Sequence, residues 1–540
     1  MKSQTTIVPL NAERDFQIQE LFFSTTDKKG VITSGNTVFA RVSGYTQAEM
    51  TGRPHNMIRH PDMPRAVFKL FWDYMKAGKP IAAYVKNMAS DGRYYWVLAL
   101  AAPTADGYLS VRFKPSSPLF AVVEAIYREL RALELTYEQG GPEPKAGIPA
   151  AEVRLADLLR EKGFATYDAF MRAMLEQELG ARDARLSHDQ KSLFLPQPDR
   201  RSGEGPVHQA LREIYQECQQ VYGKIHELHA QLGACARVNE QLTAQSRTIL
   251  GLTNEFGLVA LNVAIKSSRL GGAGEALGVI ATHLAQAAAG VAAIVQTLAR
   301  QADTVSNWLG ETSFSLAWAR LQFEMTTTYY REMLLETPVA DEAPGGHEAV
   351  HLRNLGDLGY AFQQTMNAAE HSLRGLATDL GGLSANVEDL RKAMLSLRVA
   401  HISGLVEARR LTEDESFSAI FDEVRKTING TEEQLSGFGD IIRQLAGLSR
   451  QTPVIMRTVV SVSKRMGDDE QRLVGLAEQR AVPAGTPAPG RHPAPSASHA
   501  PQARTGHAPP AGTPRRAPLA FVPKTGTTLR LARGAAAPAS

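Results

Sequence analysis

The spacing of hydrophobic residues divides the chain into two regions. In the first region these residues recur with a short period. From about residue 18 to 117, apolar and polar positions alternate in runs such as "LFFSTTD", "VITSGN", "AAYVKNMA", "YYWVLALAAP" and "GYLSVRFKP". Alternation with a period of two is typical of strands that bury one face. Asp91-Gly92 and Asp106-Gly107 separate the last three runs and favour tight hairpin turns. The pattern therefore predicts an antiparallel sheet.

Between the two groups of strands lies a segment with a helical pattern. The stretch "GYTQAEMTGRPHNMIRHPDMPRAVFKLFWDYMKAGKP" begins at Gly44 and is interrupted by Pro54, Pro61 and Pro64. Because proline ends or kinks a helix, the stretch predicts several short helices. Two strands, short helices and three more strands together predict a small α+β domain with its helices on one face of the sheet.

After a helical connector, the apolar residues recur with a longer period. Apolar or small residues then recur at alternating spacings of three and four, which is the period of a coiled coil. The first such series is Leu211, Ile214, Cys218, Val221, Ile225, Leu228, Leu232 and Cys235. Glycines and polar turns bound four helical segments, at about 205–269, 274–335, 350–411 and 415–475. Near-equal lengths and short turns predict a long antiparallel coiled-coil four-helix bundle made by one chain.

The organisation expected from these patterns is multidomain. The residues after 480 are rich in proline and contain no acidic residue, so they cannot bury enough apolar surface to fold. The expected parts are an N-terminal segment (1–17), the α+β domain (18–117), the helical connector (118–204), a first hairpin (205–335), a second hairpin (350–475) and a disordered basic tail (481–540).

Composition places the chain in a reduced compartment. The net charge of +3 over 540 residues argues against a dedicated nucleic-acid binder. Cys218 and Cys235 are its two cysteines, and the N-terminus lacks the apolar core of a secretory signal. The stretch Ala276–Ala299 has no charged residue, but it is mostly alanine and is expected to be a bundle helix rather than a membrane span. A soluble cytoplasmic protein without a transmembrane segment is expected.

Few residues suggest catalysis or metal binding. His55, His60 and Asp62 lie close together, but the prolines between them do not favour converging metal ligands. No nucleophile motif, phosphate-binding glycine loop or CxxC pair occurs in a suitable context. The sequence therefore predicts neither an enzyme nor a metal site.

The α+β domain resembles the PAS domain of the bacterial aerotaxis receptor family. The resemblance covers nearly the whole domain and is most specific in "PHNMIRHPDMP". In that family the PAS pocket binds FAD, whose redox change is the signal, and some relatives bind haem instead. The family usually has a tryptophan where this chain has Ile81, close to the cofactor. Carried over to this chain, the candidate cofactor-binding or signalling residues are Asn36, Arg59, His60, Asp62, Trp72 and Asn87.

The first hairpin turn resembles the signalling tip of methyl-accepting chemotaxis receptors. In "LVALNVAIKSSRLGGAGEALGVIATHLAQAA", Asn262 and Arg269 match the family, whereas Lys266 and Gly272 replace family glutamates. In that family the tip contacts a histidine kinase and its coupling protein. The first turn therefore keeps only some of the residues that, in that family, lie at the tip that contacts the kinase and the coupling protein.

The second hairpin turn, in "GLVEARRLTEDESFSAIFDEVRKTI", resembles the same tip. Its matching charged residues are Glu407, Arg410 and Glu413. Ordinary receptors pair two chains to make their bundle, so two tips in one chain imply an intramolecular pseudo-dimer, which could associate further.

Two functions follow from these resemblances. The first is a soluble, aerotaxis-like signal transducer that senses redox or oxygen through a PAS-bound cofactor and controls a histidine kinase complex through its bundle. The alternative is a cofactor-free PAS scaffold or binding protein whose diverged bundle no longer controls a kinase. The glutamate losses at Lys266 and Gly272 favour the alternative, and Glu407, Arg410 and Glu413 favour the first.

Overall fold

The computed structural model describes most of the first 447 residues. It covers residues 7–140, 146–189, 206–269, 271–336, 347–411 and 419–447, and the single positions 457, 461, 471 and 475. Some side chains inside the long helices, including that of Cys235, fall outside this description. So do Glu413, most of the fourth bundle segment after residue 447, and the tail expected at 481–540.

The N-terminal domain is an antiparallel sheet with short helices between its second and third strands. Among residues 7–140 the strand order is β2-β1-β5-β4-β3, and every neighbouring pair is antiparallel. The strands are β1 (Phe22–Asp27), β2 (Ile32–Gly35), β3 (Ile81–Met88), β4 (Tyr94–Pro103) and β5 (Gly107–Phe113). The helices are α1 (Thr37–Ser43), α2 (Gln47–Met50), a 3-10 turn (His55–Ile58) and α3 (Arg65–Lys76). The expected α+β fold is thereby confirmed.

The tight turns of this domain follow from its glycines. Gly92 has a φ of 87° in the β3–β4 hairpin, and a Cβ there would collide with the carbonyl oxygen of Val8. The N-terminal segment lies against the same hairpin, since the Leu10 amide donates to the Gly92 carbonyl (2.7 Å) and the Tyr94 amide donates to that of Ala12 (3.0 Å). The segment is thus packed onto the sheet.

Three further helices follow the sheet: α4 (Leu119–Gly140), α5 (Gly147–Glu161) and α6 (Tyr167–His188). Glu134 of α4 accepts the amide hydrogens of Arg65 and Ala66 at 2.8 Å each, which caps the start of α3. Glu178 of α6 is fully buried and accepts the Tyr84 hydroxyl at 2.6 Å. The region expected as a connector is therefore packed against the sheet domain.

The remaining described helices are long and antiparallel. They are α7 (Pro206–Ser268), α8 (Glu275–Glu336), α9 (His347–Leu411) and α10 (419–447), with a 3-10 turn at Gly271–Gly274. The indole of Trp308 in α8 donates to Asp379 of α9 at 2.7 Å, and Arg398 of α9 lies 3.4 Å from Glu432 of α10. Their buried faces carry the three-four series of apolar residues.

The start of α8, the end of α9 and the start of α10 lie together at one end of the helices. A Cβ on Gly404 would overlap the ring of Phe421 and approach Ile280, so the start of α8, the end of α9 and the start of α10 meet there. Among the described helices, α8 has the length and composition of a possible membrane span. Its most apolar window has a mean hydropathy of 1.7, and 28 % of that window is buried.

Candidate functional site

A cavity of about 520 Å³ lies between the sheet and the short helices of the N-terminal domain. Because side chains alternate along a strand, one face of the sheet supplies its floor. The strand residues that line it are Ser24, Thr26, Val85, Asn87, Ala99, Ala101, Tyr108, Ser110 and Arg112. The opposite side includes His55, Asn56, Arg59, Phe68, Phe71, Trp72 and Met75. The size suits a cofactor, since ligand pockets range over about 300–1,000 Å³.

Two residues of the lining each carry a buried polar atom without a partner among the described residues. The Nδ2 atom of Asn87 and the Oγ atom of Ser110 are buried and have no hydrogen-bond partner among the described residues. Asn87 is only 2 % exposed. Because buried polar groups are nearly always hydrogen-bonded, these two atoms are available to a bound molecule.

His55 is a neutral group in the cavity wall. Its Nε2 atom accepts a hydrogen bond from Nη2 of Arg112 at 2.8 Å and lies 3.2 Å from the Ser24 hydroxyl. Its ring stacks on Phe39 with a centroid distance of 6.2 Å. Burial, with the nearby Arg112 charge, lowers the pKa of His55 to about 3. His55 is therefore an acceptor at neutral pH.

Arg112 is a buried cation beside it. The side chain is 4 % exposed, and besides His55 it donates to the carbonyl oxygen of Ser110 at 3.3 Å. Its guanidinium lies 5.4 Å from the Phe39 ring centroid and 6.0 Å from that of Phe22. Burial lowers the pKa of Arg112 to about 10, which leaves it protonated at neutral pH.

Three of the residues predicted for the cofactor site line the cavity: Arg59, Trp72 and Asn87. The guanidinium of Arg59 lies 4.0 Å from the centroid of Phe68, and burial lowers its pKa. Trp72 packs edge-on against Tyr108 at 5.6 Å. Together these side chains give the cavity an aromatic wall with a cation beside it.

Asn36, His60 and Asp62 lie outside the lining. His60 is buried, packs edge-on against Tyr94, and accepts the Asp62 amide hydrogen at Nδ1 (3.2 Å). Burial, together with the Lys86 charge, lowers the pKa of His60. Lys86 donates to Asp62 at 2.7 Å and, against the effect of burial, lowers the pKa of that carboxyl. These residues hold the loop before α3 against β3.

Asn36 connects the domain to the long helices. Its Oδ1 atom accepts the amide hydrogens of Phe23 (3.2 Å) and Phe39 (3.3 Å), which caps α1. Its Nδ2 atom donates to Glu332 of α8 at 2.8 Å, and the other Glu332 oxygen accepts the Thr37 amide hydrogen at 3.2 Å. The start of α1 is thus bound directly to α8.

Sequence reasoning missed His55, Arg112 and Ser110 as cavity residues. Once β5 is placed, the signal is visible, because Tyr108, Ser110 and Arg112 share one face of the strand. A charged residue on that face is unusual. Ile81, the departure from the family pattern, is buried at the start of β3 and is not a lining residue.

Four of the five predicted tip residues are described, and they lie near the C-terminal ends of α7 and α9. Asn262 and Arg269 are exposed beside the first turn. At the second, the Arg410 side chain is 75 % exposed, Glu407 is 17 % exposed, and their charged groups lie 3.8 Å apart. Glu413 lies outside the described residues. Within the described part of the chain, no group of three or more His, Cys, Asp or Glu residues could hold a metal ion.

Comparison with known proteins agrees with this geometry. The model of the PAS fold family matches residues 32–110. The aerotaxis receptor of Escherichia coli is 45 % identical over 114 residues, which are 20 % of this chain and 22 % of that protein. The N-terminal domain is an aerotaxis-receptor-like PAS domain. The biofilm dispersion protein BdlA of Pseudomonas aeruginosa is 28 % identical over 82 residues, which are 15 % of this chain and 20 % of that protein.

The PAS domain accounts for only part of either relative. The chain spans about a fifth of the length of both curated proteins, 22 % and 20 %. Among solved structures, a PAS domain from Colwellia psychrerythraea is 19 % identical, with a TM-score of 0.16, and covers 17 % of this chain and 85 % of that one. The light-state structure of the Aureochrome1 LOV photoreceptor is 25 % identical, with a TM-score of 0.18, and covers 20 % and 90 %. At these TM-scores the structural matches add nothing to the sequence relatives.

Proposed function

We propose that the protein is a soluble, cytoplasmic signal transducer that binds FAD in its PAS cavity and senses redox state or oxygen. The bundle relays the signal to a chemotaxis histidine kinase and its coupling protein through the hairpin turns. The observation that carries this proposal is the cavity, with its unpartnered Asn87 and Ser110 atoms. Bound FAD would supply reversible uptake of electrons.

The cavity lining fits a flavin ring system. Trp72, Phe68 and Tyr108 offer apolar surface, while Asn87 offers a hydrogen-bond donor to a planar heteroaromatic ring. Five cations, but no Asp or Glu, appear among the lining residues: Lys29, Arg59, Arg65, Lys69 and Arg112. This charge suits a ligand that carries phosphate groups.

Haem fits the same cavity less well. Haem iron in proteins is held by an axial ligand, most often histidine. The histidine in the lining is His55, whose Nε2 atom is already hydrogen-bonded to Arg112 and lies close to Ser24. The donor set therefore favours FAD over haem.

A direct contact supports the relay from cavity to bundle. His55 in the cavity wall stacks on Phe39 of α1, and the cap of α1 is bonded to Glu332 of α8. A shift of His55 would therefore act on α1 and, through its cap, on α8. Differential contacts of this kind are what a two-state signal requires.

Asn87 provides the first test of the proposal. Asn87→Leu keeps the branched side-chain shape but removes the buried donor, so we expect the affinity for FAD to fall about tenfold, the effect of losing one hydrogen bond of roughly 1–2 kcal/mol. Equilibrium dialysis of the purified full chain with FAD would measure it. The matched control is Asn367→Leu on the exposed side of α9. Absence of FAD binding by the folded wild-type protein would instead favour the cofactor-free scaffold.

Glu332 provides a test of the relay. Glu332→Gln cannot accept both hydrogen bonds from the start of α1, so we expect reduction of bound FAD to change the hydrogen exchange of α8 in the wild type and at least threefold less in the variant. Glu311→Gln, at an exposed site on the same helix, is the control. An equal response in E332Q and wild type would contradict this route.

Kinase control is tested separately. The folded wild-type protein is expected to bind the histidine kinase and coupling protein in a pull-down. If it binds FAD but neither protein, the sensing part of the proposal stands and the diverged bundle has a different role, as the substitutions Lys266 and Gly272 suggest.

A further inference from the structure

Arg112 is a buried cation without a negative partner among the described residues. Its polar contacts are the ring nitrogen of His55 and the carbonyl oxygen of Ser110, and its other neighbours are the rings of Phe22 and Phe39. All four are uncharged, since His55 is neutral. Moving an unpaired charge out of water costs several kcal/mol, so buried charges in proteins are normally paired.

Two other deeply buried guanidinium groups among the described residues are paired with carboxylates. Arg182 has no exposed side-chain surface and is bonded to Glu324 through both terminal nitrogens. Arg320, 2 % exposed, makes two bonds to Asp183. Arg112 differs from both, and the difference coincides with its position in the wall of the cavity.

Two other cations of the lining have carboxylate partners and are also partly exposed. Arg65 lies 3.3 Å from Glu138, and Lys69 lies 2.8 Å from both Asp73 and Glu152. These two cations have half-exposed side chains, 47 % and 48 %, and so remain hydrated. Arg112 therefore has neither a carboxylate nor free access to water.

We infer that Arg112 supplies the counter-charge for a negative group on the ring of the bound ligand. The inference rests on the proposed function and specifies the ligand: its ring must carry a negative charge, or acquire one, beside Arg112. FAD that takes up two electrons and one proton gains one negative charge. Arg112 therefore holds reduced FAD more tightly than oxidised FAD and raises the midpoint potential of the bound cofactor.

The test compares Arg112→Met with Arg93→Met in the full chain loaded with FAD. Arg93 loses the same charge at a side chain that is 52 % exposed and is not a lining residue. Spectroelectrochemical titration, with dithionite as the reductant, measures the potential. We expect R112M to weaken binding of reduced FAD at least tenfold more than that of oxidised FAD, which lowers the potential by about 30 mV for a two-electron couple. R93M should leave the potential unchanged.

A second measurement separates this role from a structural one. Because the ligand-free protein holds an unpaired charge, we expect FAD-free R112M to melt at or above the wild-type temperature. Wild-type protein that binds FAD, with R112M weakening both redox forms equally, would overturn the inference but not the proposed function. Marked destabilisation of FAD-free R112M would also overturn it, by showing that Arg112 is structural. Failure of the wild type to bind FAD would overturn both.

Discussion

Replacing Arg182 by methionine is expected to destabilise the protein by about 3–5 kcal/mol. Arg182 of α6 and Glu324 of α8 have side-chain exposures of 0 % and 1 %, and two nitrogen–oxygen contacts of 2.5 and 3.0 Å join them. Arg182 also donates to the carbonyl oxygens of Ile18 and Gln19. The substitution would leave Glu324 buried and uncompensated and would leave two carbonyls without a donor.

The arrangement makes Arg182 a three-way junction. One guanidinium joins the residues just before β1, α6 and α8, so its loss should loosen the PAS domain from the bundle. Hydrogen exchange of the slowest amides in α6 and α8 would measure the change in opening free energy. The double variant Arg182→Met with Glu324→Leu should recover most of the loss, because well-packed apolar groups replace a buried pair at little cost.

A surface pair serves as the matched control. Arg374 and Glu370 on α9 are 77 % and 51 % exposed, so Arg374→Met should cost less than about 1 kcal/mol. If R182M lowered the free energy of unfolding no more than R374M does, the buried contact would not hold the helices together in solution.

The PAS domain is expected to lose stability below neutral pH because of His55. The pKa of His55 is about 3 in the folded protein, below its ordinary value of 6.5. Between these values the unfolded chain binds a proton that the folded chain does not. The stabilisation that His55 contributes is therefore fully present above about pH 6.5. It declines as the pH falls towards 3, by about 1.4 kcal/mol per pH unit, so that about 2 kcal/mol is lost at pH 5.

His55→Gln isolates this contribution. Glutamine can still accept from Arg112 but does not titrate in this range, so the variant should lose about 2 kcal/mol less than wild type between pH 7.5 and 5. Hydrogen exchange of the β1 and β5 amides at the two pH values would measure this difference in stability between the variant and the wild type. His283→Gln, at an exposed position on α8, should follow the wild type. Parallel curves for H55Q and wild type would mean that His55 is protonated within the fold.

Local patterns were sufficient to predict the α+β fold of the N-terminal domain. Strand alternation and the turn at Gly92 are short-range properties, and the structure contains the predicted order of strands and helices. The three-four series predicted long helices for the same reason. The helices expected at 205–269, 274–335 and 350–411 run from Pro206 to Ser268, Glu275 to Glu336 and His347 to Leu411.

The cavity was less predictable because its residues come from seven separate helices and strands. The family resemblance predicted Arg59, Trp72 and Asn87. By contrast, His55 and Arg112 become partners only when β5 lies beneath the 3-10 turn. Nothing local in "GYLSVRF" indicates that Arg112 faces a cavity without a carboxylate. The attachment of Asn36 to Glu332 depends on tertiary packing and has no signature in sequence.

The attachment of α1 to α8 also has a consequence during synthesis. Glu332 follows Asn36 by 296 residues, and at bacterial-type elongation rates of about 5–20 residues per second that interval lasts roughly 15–60 s. Glu324 likewise follows Arg182 by 142 residues. Until the end of α8 is synthesised, the Arg182 guanidinium of the nascent chain lacks Glu324, and the start of α1 lacks its hydrogen bonds to Glu332. The final packing of the PAS domain is a late event that requires the far end of α8 to emerge.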